Sequence, residues 1–375
     1  MKDWTAFSYG FTSGRHSKLV GAGDEAIARR LIDAYRRASS ERAPRADDKW
    51  SEFIESHYGE MIDLIGRDDA RGLVAYLLSL PRQGAAHGFF QGRLVHDGLQ
   101  DNPEGQLDRA WWLLDHLVAL AEAVGVLRVR CPEQGDWDSV PFGSVPELRD
   151  RIERAIGLPL TLPDLFEGLF ALEPNSGAIH LRSIMATYAV RQVATLLENL
   201  ENLVPPEMKV AEIGAGIGYT AYAAQALGIS RYTLFDLPEV NVAQGFFLLE
   251  TIDPGAVRLF GEEEGAPIEV LPASAFPPRS PDGFHVVVNI DSLPEIDPVI
   301  VDGYVNGIAE RSRYLFSINQ EAPLTGGVGL ARRSVRQSVS LNPRLKAILR
   351  QPNWIRAGYV EEIFAALRST PLHLA

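Results

Sequence analysis

The stretch Glu212-Ile213-Gly214-Ala215-Gly216-Ile217-Gly218 is where residue type and spacing in this chain most clearly suggest chemistry. Three glycines at alternate positions follow an apolar run, Lys209 to Ile213, and precede an alanine-rich one. Glycine lets the backbone turn sharply and lie directly against a ligand, because it has no Cβ to collide with it. A carboxylate, Asp236, stands 22 positions after Gly214, at the end of a second apolar run from Arg231 to Phe235. A carboxylate so placed can accept hydrogen bonds from both hydroxyls of a ribose. These residues describe a nucleoside laid on bare backbone and clasped at its sugar. The plainer alternative is an ordinary turn followed by a solvated aspartate.

The loop also says which nucleoside suits it. Dinucleotide loops read G-x-G-x-x-G, the third glycine allowing close helix packing and the helix end facing a pyrophosphate. Here that third position is Tyr219, too bulky for the role. The leading Glu212 is also a poor neighbour for a pyrophosphate and a good one for a cationic sulfonium and ammonium. S-adenosylmethionine therefore fits as cofactor better than NAD. Arg182, in the segment before the loop, has the fork geometry to take the cofactor's carboxylate, or is a surface arginine on a helix. Tyr188 in the same segment is expected to pack between domains.

Methyl transfer from a sulfonium to a hydroxyl needs positioning and a base. Orientation removes roughly 7–11 kcal/mol from such barriers, and a general base adds about a hundred- to ten-thousand-fold. The candidate bases are Glu295 first, then Asp291, Glu321 and His180. Each has a bland alternative as a cap or a solvated group, and Asp291 in particular could cap the turn at Ser292. Hard cations need several converging oxygen ligands. No dense D-x-D run offers them, so no metal is expected. The segment His87 to Gly92 and the later His96 could form a lid or acceptor pocket, and stay unassigned.

Alternating strands and helices are what would hold such a loop. After Pro206 the texture predicts strands at Lys209–Ile213, Arg231–Phe235, Ile268–Leu271, Phe284–Ile290 and Tyr314–Ile318. Helices are predicted between them near Tyr219–Leu227, Val240–Thr251 and Val299–Arg311. That alternation implies a doubly wound parallel α/β sheet. Before it the chain reads mostly as helix, for example Glu25–Ala38, Trp111–Val126 and His180–Leu200, with Arg42–Asp48, Gly84–Asn102 and Pro132–Pro146 as connections. The expected domains are residues 1–170, helical, and 171–375, cofactor-binding.

Composition narrows the partners. A chain of 375 residues exceeds what one core usually organises. Its formal charge is -13, from 36 Lys plus Arg against 49 Asp plus Glu, and Arg332, Arg333 and Arg336 are too small a cluster for a phosphate backbone. Nucleic acid is an unsuitable substrate. The single Cys131 makes neither an internal disulfide nor a thiolate metal site. The start lacks a signal-like apolar run, and Trp111–Leu127 is broken by Asp115, His116 and Glu122, so neither export nor membrane insertion is expected and the reading is cytoplasmic.

In its second half the sequence resembles the class I S-adenosylmethionine-dependent methyltransferases, and more narrowly the bacterial sugar O-methyltransferase family. The resemblance rests on Ala211 to Tyr219, on Phe235-Asp236-Leu237-Pro238-Glu239 with Gln244 and Phe246-Phe247-Leu248, on Val288 to Ile296, on Phe316 to Glu321, and on Trp354 with Gly358 to Glu362. It spans about Leu172 to the C-terminus and implies a Rossmann-like sheet. It further implies that Glu212 reaches the methionyl end through water, with Gly214, Ala215, Gly216, Gly218 and Tyr219 around it. Asp236 would hold the ribose and Leu237 lie against adenine. Ser274 would stand where an acid often accepts from the adenine amine, and Asn289 near the methyl-bearing end. The implied acceptor is a sugar or aminosugar hydroxyl on a small molecule, and a homodimer is compatible with it. N-methylation, a non-methylating reaction of the same cofactor, an NAD-linked oxidoreductase (disfavoured by Tyr219) and a binding protein without an acceptor site stay open.

Overall fold

A computed structural model describes residues 7–14, 20–41, 49–86, 89, 90, 92–131, 133, 135, 142–278, 283–321 and 333–367. The connections expected at 42–48 and most of 132–146 lie outside them, as do His87, Gly88, Gln91 and Arg332. The N-terminal part comprises β1 (Tyr9–Phe11), α1 (Ala22–Ser40), α2 (Lys49–Gly66), α3 (Ala70–Leu78), α4 (Gly92–Gln100), α5 (Pro103–Ala123), α6 (Val145–Ile156), β2 (Phe170–Leu172) and α7 (Leu181–Glu201). Local chemistry sets several of these ends. Ser144 caps α6 by accepting from Glu147 N–H, and Gly157 closes it at φ 70°. His180 caps α7 through its imidazole, and Asn202 closes it at φ 54°.

The rest is β3 (Lys209–Ile213), α8 (Tyr219–Ala226), β4 (Arg231–Asp236), α9 (Pro238–Thr251), β5 (Val257–Leu259), β6 (Ile268–Pro272), β7 (Phe284–Ile290), α10 (Pro298–Arg311), β8 (Ser312–Gln320), α11 (Val335–Ser340), β9 (Leu345–Pro352) and β10 (Tyr359–Ala366). Eight strands form one sheet in the order β5-β6-β4-β3-β7-β8-β10-β9. The first six are mutually parallel, while β10 lies antiparallel to both β8 and β9. The sheet is Rossmann-like and doubly wound. It departs from the dinucleotide-binding order 3-2-1-4-5-6 through its antiparallel last strand, slotted in before β9. Strand order reverses between β3 and β7, so a ligand crevice belongs beyond their carboxyl ends.

Side chains alternate across the sheet with period two. Val210, Tyr232, Leu234, Val286, Val288, Phe316 and Ile318 join a core shared with the N-terminal helices. Their neighbours Ala211, Ile213, Phe235, Val287 and Leu315 pack on the other face against Val301, Val305 and Ile308 of α10. The helical half is thus a layer on one face of the sheet, and the buried apolar cluster runs without a break across residue 170. β1 pairs with β2 across the same point, Tyr9 opposite Leu172.

Strands β3 and β7 have the predicted limits, and the other predicted elements shift by a few residues, except that α5 begins at Pro103, well before the predicted Trp111. Helices α9 and α10 begin at Pro238 and Pro298, where a proline costs no hydrogen bond. Several features differ, among them the short strands β1 and β2 in the half read as helical. α4 occupies part of the expected connection 84–102. β5 adds an edge strand, and the tail forms the β9–β10 hairpin. α4 and β5 are too short for periodicity to show.

Candidate functional site

β3 delivers Ile213 into a loop whose Gly214, Gly216 and Gly218 have φ of 71°, 56° and 89°. L-residues with a side chain resist this left-handed region, so the backbone itself calls for glycine. The three have different neighbours. A Cβ on Gly214 would lie 2.6 Å from Ser292 Cβ, and one on Gly218 would press on Gln244 and Leu248. Of the three, only Gly216 has room for a Cβ, whose nearest neighbour would be Phe89 at 3.6 Å, an ordinary contact. The loop is then fastened from α9: the buried Gln244 donates from Nε2 to Gly216 O at 2.9 Å.

Glu212 points to the face covered by the N-terminal helices. Its carboxylate accepts from the Tyr232 hydroxyl at 2.8 Å. Burial pushes its pKa up to about 7, against the opposing pull of the Tyr232 and Thr220 hydroxyls. Asp236 also rises to about 7 through burial, partly offset by backbone N–H donors. Those donors are Gly216 N to Oδ2 at 3.0 Å and Leu237 N to Oδ1 at 2.8 Å. Asp236 therefore braces the glycine loop. The Tyr58 phenol of α2 stands close by, its pKa held far above the usual by burial and by the charges of Asp236 and Glu239.

A crevice opens beyond the loop, about 500 Å³ only when the open solvent at its mouth is counted, and is lined by Glu212, Gly214, Ala215, Gly216, Tyr219 and Thr220. Phe89, Arg182, Met185, Ala186, Ile290 and Asp291 complete it. Tyr219 turns its ring in among Phe90 and Phe247, and its hydroxyl is buried with no hydrogen-bond partner among the described residues. The chain thus brings together seven of the predicted residues: Arg182, Glu212, Gly214, Ala215, Gly216, Tyr219 and Asp291. Gly218, Asp236, Leu237, Ser274 and Asn289 do not line this crevice.

The remaining candidates have other surroundings than sequence reasoning gave them. Asn289 is fully buried and donates to Ile213 O at 2.8 Å and to Ser292 Oγ at 2.6 Å, while its Oδ1 accepts from Asn319 at 2.9 Å. It clips the ends of β3, β7 and β8 together rather than facing a ligand. Ser274 is exposed on the turn after β6. Asp291 does not cap Ser292. It sits at φ 57°, held by Arg356 at 2.7 Å, Arg182 at 3.4 Å and the Tyr359 hydroxyl at 2.6 Å. Despite burial these cations and the phenol draw its pKa below the usual range, which makes it a poor proton acceptor. Arg182 accordingly contacts a carboxylate of the chain itself.

His180 is buried, with its pKa lowered to about 3 by burial and by Arg109 and Arg182, and its Nδ1 accepts from Arg182 N–H. Its imidazole is a cap rather than a base. Glu321 is exposed and pairs with Arg350 at 2.9 Å. Glu295 is half-buried in the single turn Leu293–Glu295 after β7, outside the crevice lining. Tyr188, expected at a domain interface, donates to the β10 carboxylate Glu361 at 2.7 Å. His96 is buried against Phe11, ring centroids 4.8 Å apart.

Sequence reasoning missed the roles of Arg356 and Tyr359, which reach Asp291 from the β9–β10 hairpin. No spacing links residues so far apart in the chain.

No family model matches this sequence, and no curated protein matches it. Among solved structures it is similar to the mitomycin 7-O-methyltransferase, at 17% identity, covering 92% of this chain and 94% of that one with a TM-score of 0.37. An O-methyltransferase of neocarzinostatin biosynthesis, solved with S-adenosylmethionine and a naphthoic acid, is 17% identical over 50% of this chain and 57% of that one, TM-score 0.34. An O-methyltransferase family protein from Burkholderia thailandensis is 14% identical over 50% and 60%, TM-score 0.34. Superpositions this loose leave the chemistry to be argued from the site itself.

Proposed function

We propose that this chain is an S-adenosylmethionine-dependent methyltransferase acting on a hydroxyl of a small sugar-like or aminosugar acceptor. The observation that carries this reading is the glycine loop at the switch point, with Gly216 facing an open crevice whose wall holds a buried acid, Glu212. An acid there favours a cationic ligand and opposes a pyrophosphate, and the antiparallel β10 likewise departs from the dinucleotide fold. The cofactor's carboxylate end is matched by Arg182 in the same crevice. A guanidinium can donate two parallel hydrogen bonds to a carboxylate.

When bound, the cofactor supplies an electrophilic methyl group on a sulfonium. Glu212 would hold the cationic end, Gly216 would let it lie on the backbone, and Phe89 would shield it from water. Asp236 fixes the loop through Gly216 N–H and is the carboxylate we assign to the ribose. Glu295, on the turn just after β7, is the proton acceptor we assign to the acceptor hydroxyl. Residues 171–375 would bind the cofactor and residues 1–170 would close over it. Calorimetric titration with S-adenosylmethionine, S-adenosylhomocysteine and NAD tests the cofactor: binding of NAD alone would overturn the reading. Mass spectrometry over sugar and aminosugar acceptors tests the reaction, and an N-methylated product would move it to amines.

A further inference from the structure

Asp291 and Arg182 stand side by side on the crevice wall, 3.4 Å apart, with side chains mostly shielded from water. The backbone fixes where Asp291 points. Its N–H donates to Ile318 O of β8 at 3.0 Å, and the next N–H, of Ser292, donates to Asn319 Oδ1 at 3.1 Å. Between these anchors Asp291 adopts φ 57°, a strained conformation of the kind that clusters at functional sites. Its carboxylate meets the β9–β10 hairpin there. Arg356 Nη1 donates to Oδ2 at 2.7 Å, and the Tyr359 hydroxyl donates to Oδ1 at 2.6 Å.

The hairpin is itself stiff at this point. The buried Asn353 accepts from the N–H groups of Ile355 and Arg356 at 3.2 and 2.9 Å, and donates to Glu361 at 3.3 Å. Glu361 in turn accepts from Tyr188 of α7, the helix whose first turn carries Arg182. Arg356 lies over the Tyr359 ring, 3.9 Å from its centroid, which fixes the guanidinium plane. The hairpin therefore grips Asp291 through two short bonds, while Asp291 reaches Arg182 through a long one. A carboxylate arriving in the crevice competes for the long one. Arg182 has other contacts too, so no bare cation is asked of it, only the exchange of a weak bond for a better one.

We infer that Asp291 is a positioning residue: gripped from the β9–β10 hairpin by Arg356 and Tyr359, it aims Arg182 at the crevice and yields it to the carboxylate of an α-amino-acid ligand. The hairpin thereby sets the affinity of a site whose wall it does not form, since neither Arg356 nor Tyr359 lines the crevice. This rests on the cofactor reading for the ligand, whose methionyl end is an α-amino acid. Loosening the grip acts in one direction. With a partner gone, Asp291 is less well placed and leans more of its charge on Arg182, and either change weakens the hold on an incoming carboxylate.

The test is calorimetric titration of the full chain with S-adenosylhomocysteine and with methylthioadenosine, which shares the nucleoside and thioether but has no amino-acid end. Tyr359→Phe removes only the hydroxyl and keeps the ring beneath Arg356. It should weaken S-adenosylhomocysteine about three- to tenfold, as for residues coupled in one network, and leave methylthioadenosine unchanged. Arg182→Gln should show the same selectivity more strongly. In the double variant the Tyr359 change should add nothing, because its route to the ligand is already gone; a merely structural role would add its full effect there. Equal S-adenosylhomocysteine affinity in Tyr359→Phe and wild type would overturn the inference. So would an equal loss of both ligands, or additive losses in the double variant. If the wild-type chain binds neither nucleoside, the cofactor reading falls and this inference with it; if it binds both and Tyr359→Phe is silent, only this inference falls.

Discussion

Glu212 and Asp236 are two carboxylates whose environments leave them near neutrality in affinity for protons, both rising to about 7. Their folded values exceed their unfolded ones, so the protonated forms favour the folded state. The stability they contribute is complete below about pH 4 and is lost as pH rises towards 7. The ligand-free protein should therefore melt at a lower temperature at pH 7.5 than at pH 5.5, and Glu212→Gln should flatten that slope; differential scanning calorimetry of both proteins decides it. Binding of a sulfonium has the opposite sign. It needs ionised acids, so the affinity for S-adenosylmethionine should increase from pH 6 to pH 8 more than that for the uncharged thioether S-adenosylhomocysteine. At the loop, Gly216→Val forces a branched residue to φ 56° and fills the open side, and should abolish cofactor binding in a protein that still folds. Wild-type affinity in that variant would contradict the placement of the site.

Among the elements, β3, β7 and β8 are joined at their carboxyl ends by a short polar network. Asn289 links Ile213 O, Ser292 and Asn319, and Asn319 Nδ2 also donates to Ser317 Oγ at 2.8 Å. Asn289→Ala leaves several buried partners unpaired and should cost about 1–3 kcal/mol of stability for each group left without a partner. Urea denaturation would measure that loss. The same variant should also bind the cofactor more weakly, because Ser292 abuts Gly214 and its release loosens the loop. A stability equal to wild type would mean that water or a neighbour takes over every lost contact. The β9–β10 hairpin has an analogous part: it carries Arg356 and Tyr359 to Asp291, and so completes a site that begins on β7.

For the whole molecule, the decisive fact is that the helical layer and the sheet share one apolar core. α1 lies so close to α9 that a Cβ on Gly245 would come within 2.7 Å of Leu31 Cδ2. Tyr58 and Phe89 from the N-terminal half stand over Asp236 and Gly216. Such a molecule should unfold in one calorimetric transition, and residues 171–375 expressed alone should aggregate through the exposed faces of α7 and α9. Two resolved transitions would show instead that the halves fold independently.

Local signals determined much of this. The apolar runs, the glycine spacing and the acid after β4 placed the parallel sheet and the loop, because strand patterning and left-handed turns are properties of neighbouring residues. Partners distant in the chain were decided only by tertiary structure. Asn289 is a clip because Asn319 and Ile213 converge on it. Asp291 is no base because Arg356, 65 residues further on, folds back to hold it. Side-chain charge is written in the sequence, but the proton affinity and reach of that charge depend on burial and on neighbours, which exist only once the chain has folded.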